Sequence, residues 1–119
     1  DTIKIKKFTD NPFPYMRLAN AFVLSSTFEG LPNVLLESLV LKRFIISSNC
    51  QTGPREILLN GKGGLLFNVG NHTQLSKKIL FLSTNRKQCN KMLSLAIKNL
   101  DRFDESLNLN KYFKLINNI

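Results

Sequence analysis

Two carboxylates, Glu29 and Glu37, stand eight positions apart in FVLSSTFEGLPNVLLE, the stretch from Phe22 to Glu37. A carboxylate accepts hydrogen bonds without donating any, so it suits a ligand rich in hydroxyl or amide donors. The stretch reads as a short buried strand (Phe22 to Ser25), a tight loop (Ser26 to Leu31) and a helix opening at Pro32. Proline at a first helical position presets φ and gives up no hydrogen bond. The helix then turns its free N–H groups back over the loop, where they favour an anion such as a phosphate. Side chains lean toward a helix's N-terminus, so Glu37 reaches back toward whatever sits at that mouth. From spacing alone the two residues serve equally well as ordinary solvated or capping carboxylates.

The scarcity of acid makes the pair informative. Eight acidic residues face seventeen Lys and Arg, for a net charge of +9. Between Asn11 and Leu100 the only carboxylates are Glu29, Glu37 and Glu56, each in or beside a loop that follows an apolar run. In open α/β sheets ligands bind at that end of the strands. The positive balance fits solvated helix faces, a nucleotide diphosphate or an anionic membrane surface. Nucleic acid is disfavoured, because the lysines are scattered and no basic–aromatic recognition motif appears. Cys50 and Cys89 lack metal or redox spacing, and His72 stands alone, so no metal site is expected. Two free thiols fit a reduced, cytoplasmic setting. No apolar run is long enough to span a bilayer, and no secretory signal is visible at the start.

These residues need a scaffold, and the apolar pattern supplies one. Ile3 to Phe8 alternates apolar and basic residues as a half-exposed strand does. A Pro-rich loop from Asp10 leads into a short helix ending near Asn20. Phe44 to Ser47 reads as a second buried strand. It is followed by a polar loop (Asn49 to Gly53) and a short helix through Leu59. Leu65 to Phe67 reads as a third. Leu75, Ile79 and Leu82 line one face of a helix, and Leu93, Ile97 and Leu100 line the next. Leu109, Tyr112, Phe113 and Ile116 do so in a last helix, with Asp104 as its N-cap. Alternation of strands and helices predicts an α/β domain, a Rossmann-like parallel sheet with flanking helices.

Glu29 and Glu37, with their surroundings, form E-G-x-P-x-x-x-x-E after a buried strand. This resembles the E-x7-E motif of retaining GT-B glycosyltransferases, the group 1 (family 4) type. The flanking segments N-P-F-P-Y-M (Asn11 to Met16), A-N-A-F-V-L-S-S (Ala19 to Ser26), T-G-P-R-E-I-L (Thr52 to Leu58), N-G-K-G-G-L-L-F (Asn60 to Phe67) and N-V-G-N (Asn68 to Asn71) are similar to that family's, in order and at its spacing. The resemblance implies that residues 1–119 are part of the C-terminal, nucleotide-sugar-binding domain. The donor would be a nucleotide diphosphate sugar, UDP-linked, with no cofactor or metal. The acceptor would be a glycan or a lipid-linked glycan in lipopolysaccharide, capsule or other surface-polysaccharide biosynthesis. Glu29 would act on the donor sugar and count as the catalytic carboxylate, with Gly30, Leu31 and Pro32 around the same sugar. Glu37 would accept from the ribose hydroxyls. Asn33, one turn earlier on the same face, either assists it or is an ordinary polar residue of a first turn. Arg55 either offers charge to the diphosphate or, as the favoured reading, lies on the surface.

The same resemblance sets expectations about what accompanies the chain. Family members are longer and carry two Rossmann-like domains, so a fragment lacking the N-terminal acceptor domain is expected, and a start at Asp1 fits that. A doubly wound strand order of 3-2-1-4-5-6 would leave the third to sixth strands here, without the central two. An exposed strand edge would then favour self-association. A cytoplasmic location, with peripheral contact to the inner membrane face, follows from lipid-linked acceptors. Two other classes stay open: a GT-B-fold sugar-nucleotide epimerase, disfavoured by the flanking segments, and an inactive remnant or non-enzymatic binding module.

Overall fold

The computed structural model describes residues 3–103 and 114–117. Three parallel strands form its centre: β1 (Ala21–Leu24), β2 (Phe44–Ser48) and β3 (Leu65–Phe67), ordered β1-β2-β3. Ala21 pairs with Phe44 and Leu24 with Ser47, and Ile46 pairs with Leu65 on the other side. β2 is buried along its whole length, as a central parallel strand covered on both faces must be. Five helices accompany the sheet: α1 (Phe13–Leu18), α2 (Asn33–Val40), α3 (Pro54–Ile57), α4 (His72–Thr84) and α5 (Arg86–Lys98). Two 3₁₀ turns, Leu59–Gly61 and Leu100–Phe103, and a helical turn at 114–117 complete it.

Strand alternation divides the core. Ile45 points to one face, where it packs with Leu35, Leu36 and Leu39 of α2, and with Ile57, Leu58, Ala96 and Phe103. Phe44 and Ile46 point to the other, against Leu65, Phe67, Leu82 and Cys89. α5 contributes Cys89 to one cluster and Ala96 to the other, so it lies where the two faces meet. A third group, Met16, Leu41 and Ile116, joins α1 to the turn at 114–117, where the Arg17 guanidinium donates to the Ile116 carbonyl at 3.2 Å. Truncating any of the fully buried leucines of α2 costs about 2–5 kcal/mol.

α2 ends in a Schellman-type turn: Lys42 takes φ 58° and the Arg43 N–H donates to the Ser38 carbonyl at 2.8 Å. Arg43 then donates to the Ala19 carbonyl at 2.9 Å, which ties the entry of β1 to that of β2.

Several sequence expectations change. Residues 3–9 form no strand, and Ile3, Ile5 and Phe8 are 81%, 94% and 92% exposed. Alternation suits a strand only where a neighbouring edge supplies hydrogen-bond partners, and among the described residues none lies beside it. The sheet therefore has three strands, not four, in the order expected for the last three of the doubly wound pattern. Pro32 caps α2 in an extended conformation (φ −76°, ψ 104°), so the helix begins one residue later than expected. Ile79 is 48% exposed, whereas Leu93, Ile97 and Leu100 do face the core, Leu100 buried and the other two half-buried against it; α5 also buries Cys89 and Ala96, which lie outside the expected stripe. The Asp104 cap and the Leu109, Tyr112 and Phe113 stripe fall outside the described residues. No described helix is long and apolar enough to cross a membrane.

Candidate functional site

β1 delivers the chain to the C-terminal edge of the sheet, and α2 carries it away. The loop between them holds Ser26, Glu29, Gly30 and Leu31. The neighbouring strand β2 ends at the same edge, and its following loop (Asn49 to Gly53) packs against the first. This packing has four parts. The Ser48 hydroxyl donates to the Ser26 carbonyl at 2.6 Å, and the Cys50 thiol donates to the same oxygen at 3.2 Å. The Thr52 hydroxyl donates to the Glu29 carbonyl at 2.9 Å. Gly53 sits against Gly30 so closely that a Cβ there would collide with the Gly30 carbonyl oxygen and lie 2.6 Å from Pro32 Cδ. Its φ of 88° and ψ of −78° suit glycine and few other residues.

Within this frame the Glu29 side chain is also held: the Ser26 hydroxyl donates to its Oε1 at 2.8 Å. Glu29 is half-buried, and Gly30 beside it is exposed. Glu37 projects from α2, whose neighbours Leu35, Leu36 and Ser38 are wholly buried. Burial raises the Glu37 carboxyl above its ordinary 4.5. Such a carboxylate gains from hydroxyl donors brought by a ligand. Asn33 is the first residue of α2 and is exposed. No side chain caps that N-terminus, which leaves its N–H groups for solvent or an anion.

Of the residues expected around the sugar and nucleotide, Gly30 and Asn33 are exposed and Glu29 is half-buried, with Glu37 one turn further along α2 from Asn33, whereas Pro32 is buried and Leu31 packs against the core, so neither of these two offers an open side chain to a ligand. Arg55 is exposed and its Nε donates to Asn49 Oδ1 at 3.1 Å, in keeping with a surface residue. Glu56 lies in the first turn of α3, and His72 opens α4, exposed. Cys50 and Cys89 are free and buried. No group of His, Cys, Asp or Glu among the described residues could hold a metal ion. A hollow of about 240 Å³ adjoins the clamped loops, lined by Gln51, Thr52, Gly53, Arg55, Glu56 and Asn60. A larger hollow, about 630 Å³, lies beside β3, lined among others by Asn68, Gln74, Lys77 and Lys78 and by no carboxylate among the described residues. Both glutamates are half-buried, and what marks them is the anchoring of Glu29 and the desolvation of Glu37.

Sequence reasoning missed Ser26, Ser48, Cys50 and Thr52. Ser26 had a local signal: S-x-x-E is the spacing of reciprocal side-chain bonding at helix starts, here used within a loop. The other three are visible only once β1 and β2 are known to be neighbours.

The sequence pattern of the family described as Glycosyl transferases group 1 matches residues 1–99. The chain belongs to this family. Among group 1 glycosyltransferases and their relatives, an N,N'-diacetylbacillosaminyl-diphospho-undecaprenol alpha-1,3-N-acetylgalactosaminyltransferase of Campylobacter jejuni is 31% identical over 98 residues, covering 82% of this chain and 26% of its own length. The lipopolysaccharide 1,6-galactosyltransferase of Salmonella typhimurium is 42% identical over 50 residues, 42% of this chain and 14% of its own length. The solved structure of TarM superposes with a TM-score of 0.73 at 26% identity, covering 94% of this chain and 23% of that one. The chain spans between 12% and 27% of the length of its curated relatives. Those named here act in lipopolysaccharide and lipid-linked glycan synthesis. The fold is the Rossmann-like α/β arrangement of GT-B glycosyltransferases, as the resemblance implied.

Proposed function

We propose that this chain supplies part of the donor side of a retaining sugar transferase, as a portion of its C-terminal domain. The intact enzyme moves a hexosyl or N-acetylhexosaminyl group from a UDP-linked donor to a glycan or lipid-linked acceptor, at the cytoplasmic face of a membrane. One observation carries the reading. Of the two carboxylates at the strand ends, one is anchored in a clamped loop and the other is desolvated on the helix that follows.

Glu29 accepts hydrogen bonds from hydroxyls on the far edge of the donor sugar. Glu37 accepts from the ribose hydroxyls, and those bonds replace the water that burial has removed. The uncapped N-terminus of α2 directs N–H groups of its first turn toward the diphosphate. Pro32 has no N–H to give, so this contribution begins at Asn33. The exposed Gly30 lets the ligand approach the backbone closely. The reading names no general base in this chain. Fixed donors that meet charge developing on the leaving diphosphate supply the stabilisation. The reading assigns no resident metal or cofactor.

The test uses Glu37→Gln and Glu29→Gln in the intact transferase that carries this segment. A hydrogen bond to a charged acceptor is worth roughly 1.5–3 kcal/mol, so each change costs about tenfold or more. For Glu37→Gln the loss appears in calorimetric affinity for free UDP. For Glu29→Gln free UDP binds as before, since it has no hexose, and kcat with the sugar nucleotide falls. If Glu29→Gln lost UDP affinity while Glu37→Gln kept it, the two assignments would be reversed.

A further inference from the structure

The loop that carries Glu29 has no regular secondary structure from Ser25 to Pro32. A glutamate there has three rotatable bonds and, left alone, would spread over many rotamers. It does not have that freedom, because it is gripped twice. Thr52 holds its carbonyl oxygen, and the Ser26 hydroxyl holds Oε1 at 2.8 Å. Ser26 is itself gripped from beneath. Its carbonyl oxygen accepts from Ser48, fully buried in the central strand, and from Cys50, 2% exposed just beyond it. Ser48 Oγ and Cys50 Sγ lie 3.4 Å apart, so the two donors converge on one oxygen. The chain of contacts runs from the rigid strand β2 through the Ser26 backbone to the Ser26 hydroxyl, and from there to one oxygen of Glu29.

A carboxylate has about four lone-pair sites on two oxygens. The Ser26 bond takes one on Oε1, which leaves the rest, including all of Oε2, for a ligand. Position is fixed while capacity is kept. A transferase depends on such fixing, since a carboxylate held in advance meets the donor without first being ordered.

We infer that Ser26, braced by Ser48 and Cys50, is a positioning residue that aims Glu29 at the donor sugar. This rests on the reading of Glu29 as the donor-sugar carboxylate, and the experiment separates the two. In the intact transferase, Ser26→Ala, Ser26→Thr, Glu29→Gln and the double variant Ser26→Ala/Glu29→Gln are compared by steady-state kinetics and by calorimetry with UDP. Ser26→Ala lowers kcat with the sugar nucleotide about tenfold and leaves UDP affinity unchanged. Ser26→Thr, which keeps the hydroxyl, restores most of kcat. In the Glu29→Gln background Ser26→Ala has little further effect, because its target is already altered. A merely structural role would not give this dependence on Glu29.

Normal kinetics for Ser26→Ala beside a damaged Glu29→Gln would overturn the positioning role and leave the donor reading intact. Normal kinetics for both would remove the donor reading and the inference with it. Equal losses for Ser26→Ala in both backgrounds would show that Ser26 acts independently of Glu29, and would also overturn it. Should the alanine variant not fold, the nearly isosteric Ser26→Cys, a weaker donor, is expected to give the same split in milder form, and wild-type kinetics there would refute the role.

Discussion

Gly53→Ala probes the frame that holds the site. Gly53 has φ 88° and ψ −78°, a region that L-residues occupy at a cost of about 1–3 kcal/mol. Its new methyl would also run into the Gly30 carbonyl oxygen and approach Pro32 Cδ at 2.6 Å. Backbone cannot rotate aside as a side chain can, and overpacking of this kind costs about 1–3 kcal/mol more. The sum, about 2–6 kcal/mol, is a large share of the roughly 5–15 kcal/mol that holds a small domain folded. Urea unfolding of the 119-residue chain measures it. With a slope of about 1–3 kcal/mol per molar, the midpoint should fall by about 1 M or more. Gly30→Ala is the control. It has no neighbour within 4 Å of an added Cβ and no positive φ, so its midpoint should stay level or rise slightly. In the intact transferase, however, Gly30→Ala should weaken sugar-nucleotide binding if the ligand approaches the backbone there. A wild-type midpoint for Gly53→Ala, or equal damage from both changes, would refute the clamp between the two loops.

Three further outcomes follow from the same coordinates. Burial raises the Glu37 carboxyl in the folded state, so its share of stability is intact below the ordinary value of 4.5 and is lost as pH rises through the raised one; Glu37→Gln should therefore be more stable than the parent at pH 7 and equal to it at pH 4, and an equal margin at both would contradict the desolvation. The outer edge of β1 has no partner strand among the described residues, and Val23 on it is 39% exposed, so the 119-residue chain should self-associate with rising concentration; light scattering showing a monomer throughout would count against this. On its own the same chain should transfer no sugar to an added acceptor, because the proposed site offers only donor contacts; measurable transfer from purified protein would show that the donor-side reading is too narrow.

The scaffold was legible where burial leaves its mark in one dimension. Phe44 to Ser47 is apolar or small because the central parallel strand is covered on both faces, Phe22 to Ser25 and Leu65 to Phe67 carry the same pattern beside it, and each lies within a residue of its observed place. The loop–helix junction with Glu29 and Glu37 was legible for a related reason: Gly and Pro mark where a helix starts. Ile3 to Phe8 misled because alternation describes a strand's faces and says nothing of whether an edge exists to pair with. The core-facing stripe Leu93, Ile97 and Leu100 was legible from its spacing, but Cys89 and Ala96 were not, because the close approach of α5 to both clusters selects small side chains there and these leave little apolar signal. The bracing of Ser26 was invisible because it depends on register. With Leu24 level with Ser47, the chain just past β1 comes alongside Ser48, twenty-two positions away in sequence.

That register gives the two carboxylates different kinds of rigidity. Glu37 inherits its place from the core: Leu35, Leu36 and Leu39 are at most 1% exposed, and rotating α2 to move Glu37 would drag all three out of their packing. At about 2–5 kcal/mol for each buried leucine lost, that motion is closed. Glu29 has no such weight behind it. Its neighbours Phe28 and Gly30 are exposed, and the bonds from Ser26 and Thr52 and the fit of Gly53 against Gly30 resist its movement. Each bond contributes about 1 kcal/mol, a little more where the acceptor is charged. On the proposed reading, the nucleotide contact is then fixed by the core and the sugar contact by local bonds that sequence change can reset, which suits a family whose named relatives here transfer galactosyl and N-acetylgalactosaminyl groups. Change in the Asn49 to Gly53 loop would re-aim Glu29 while leaving Glu37 and the core of α2 in place.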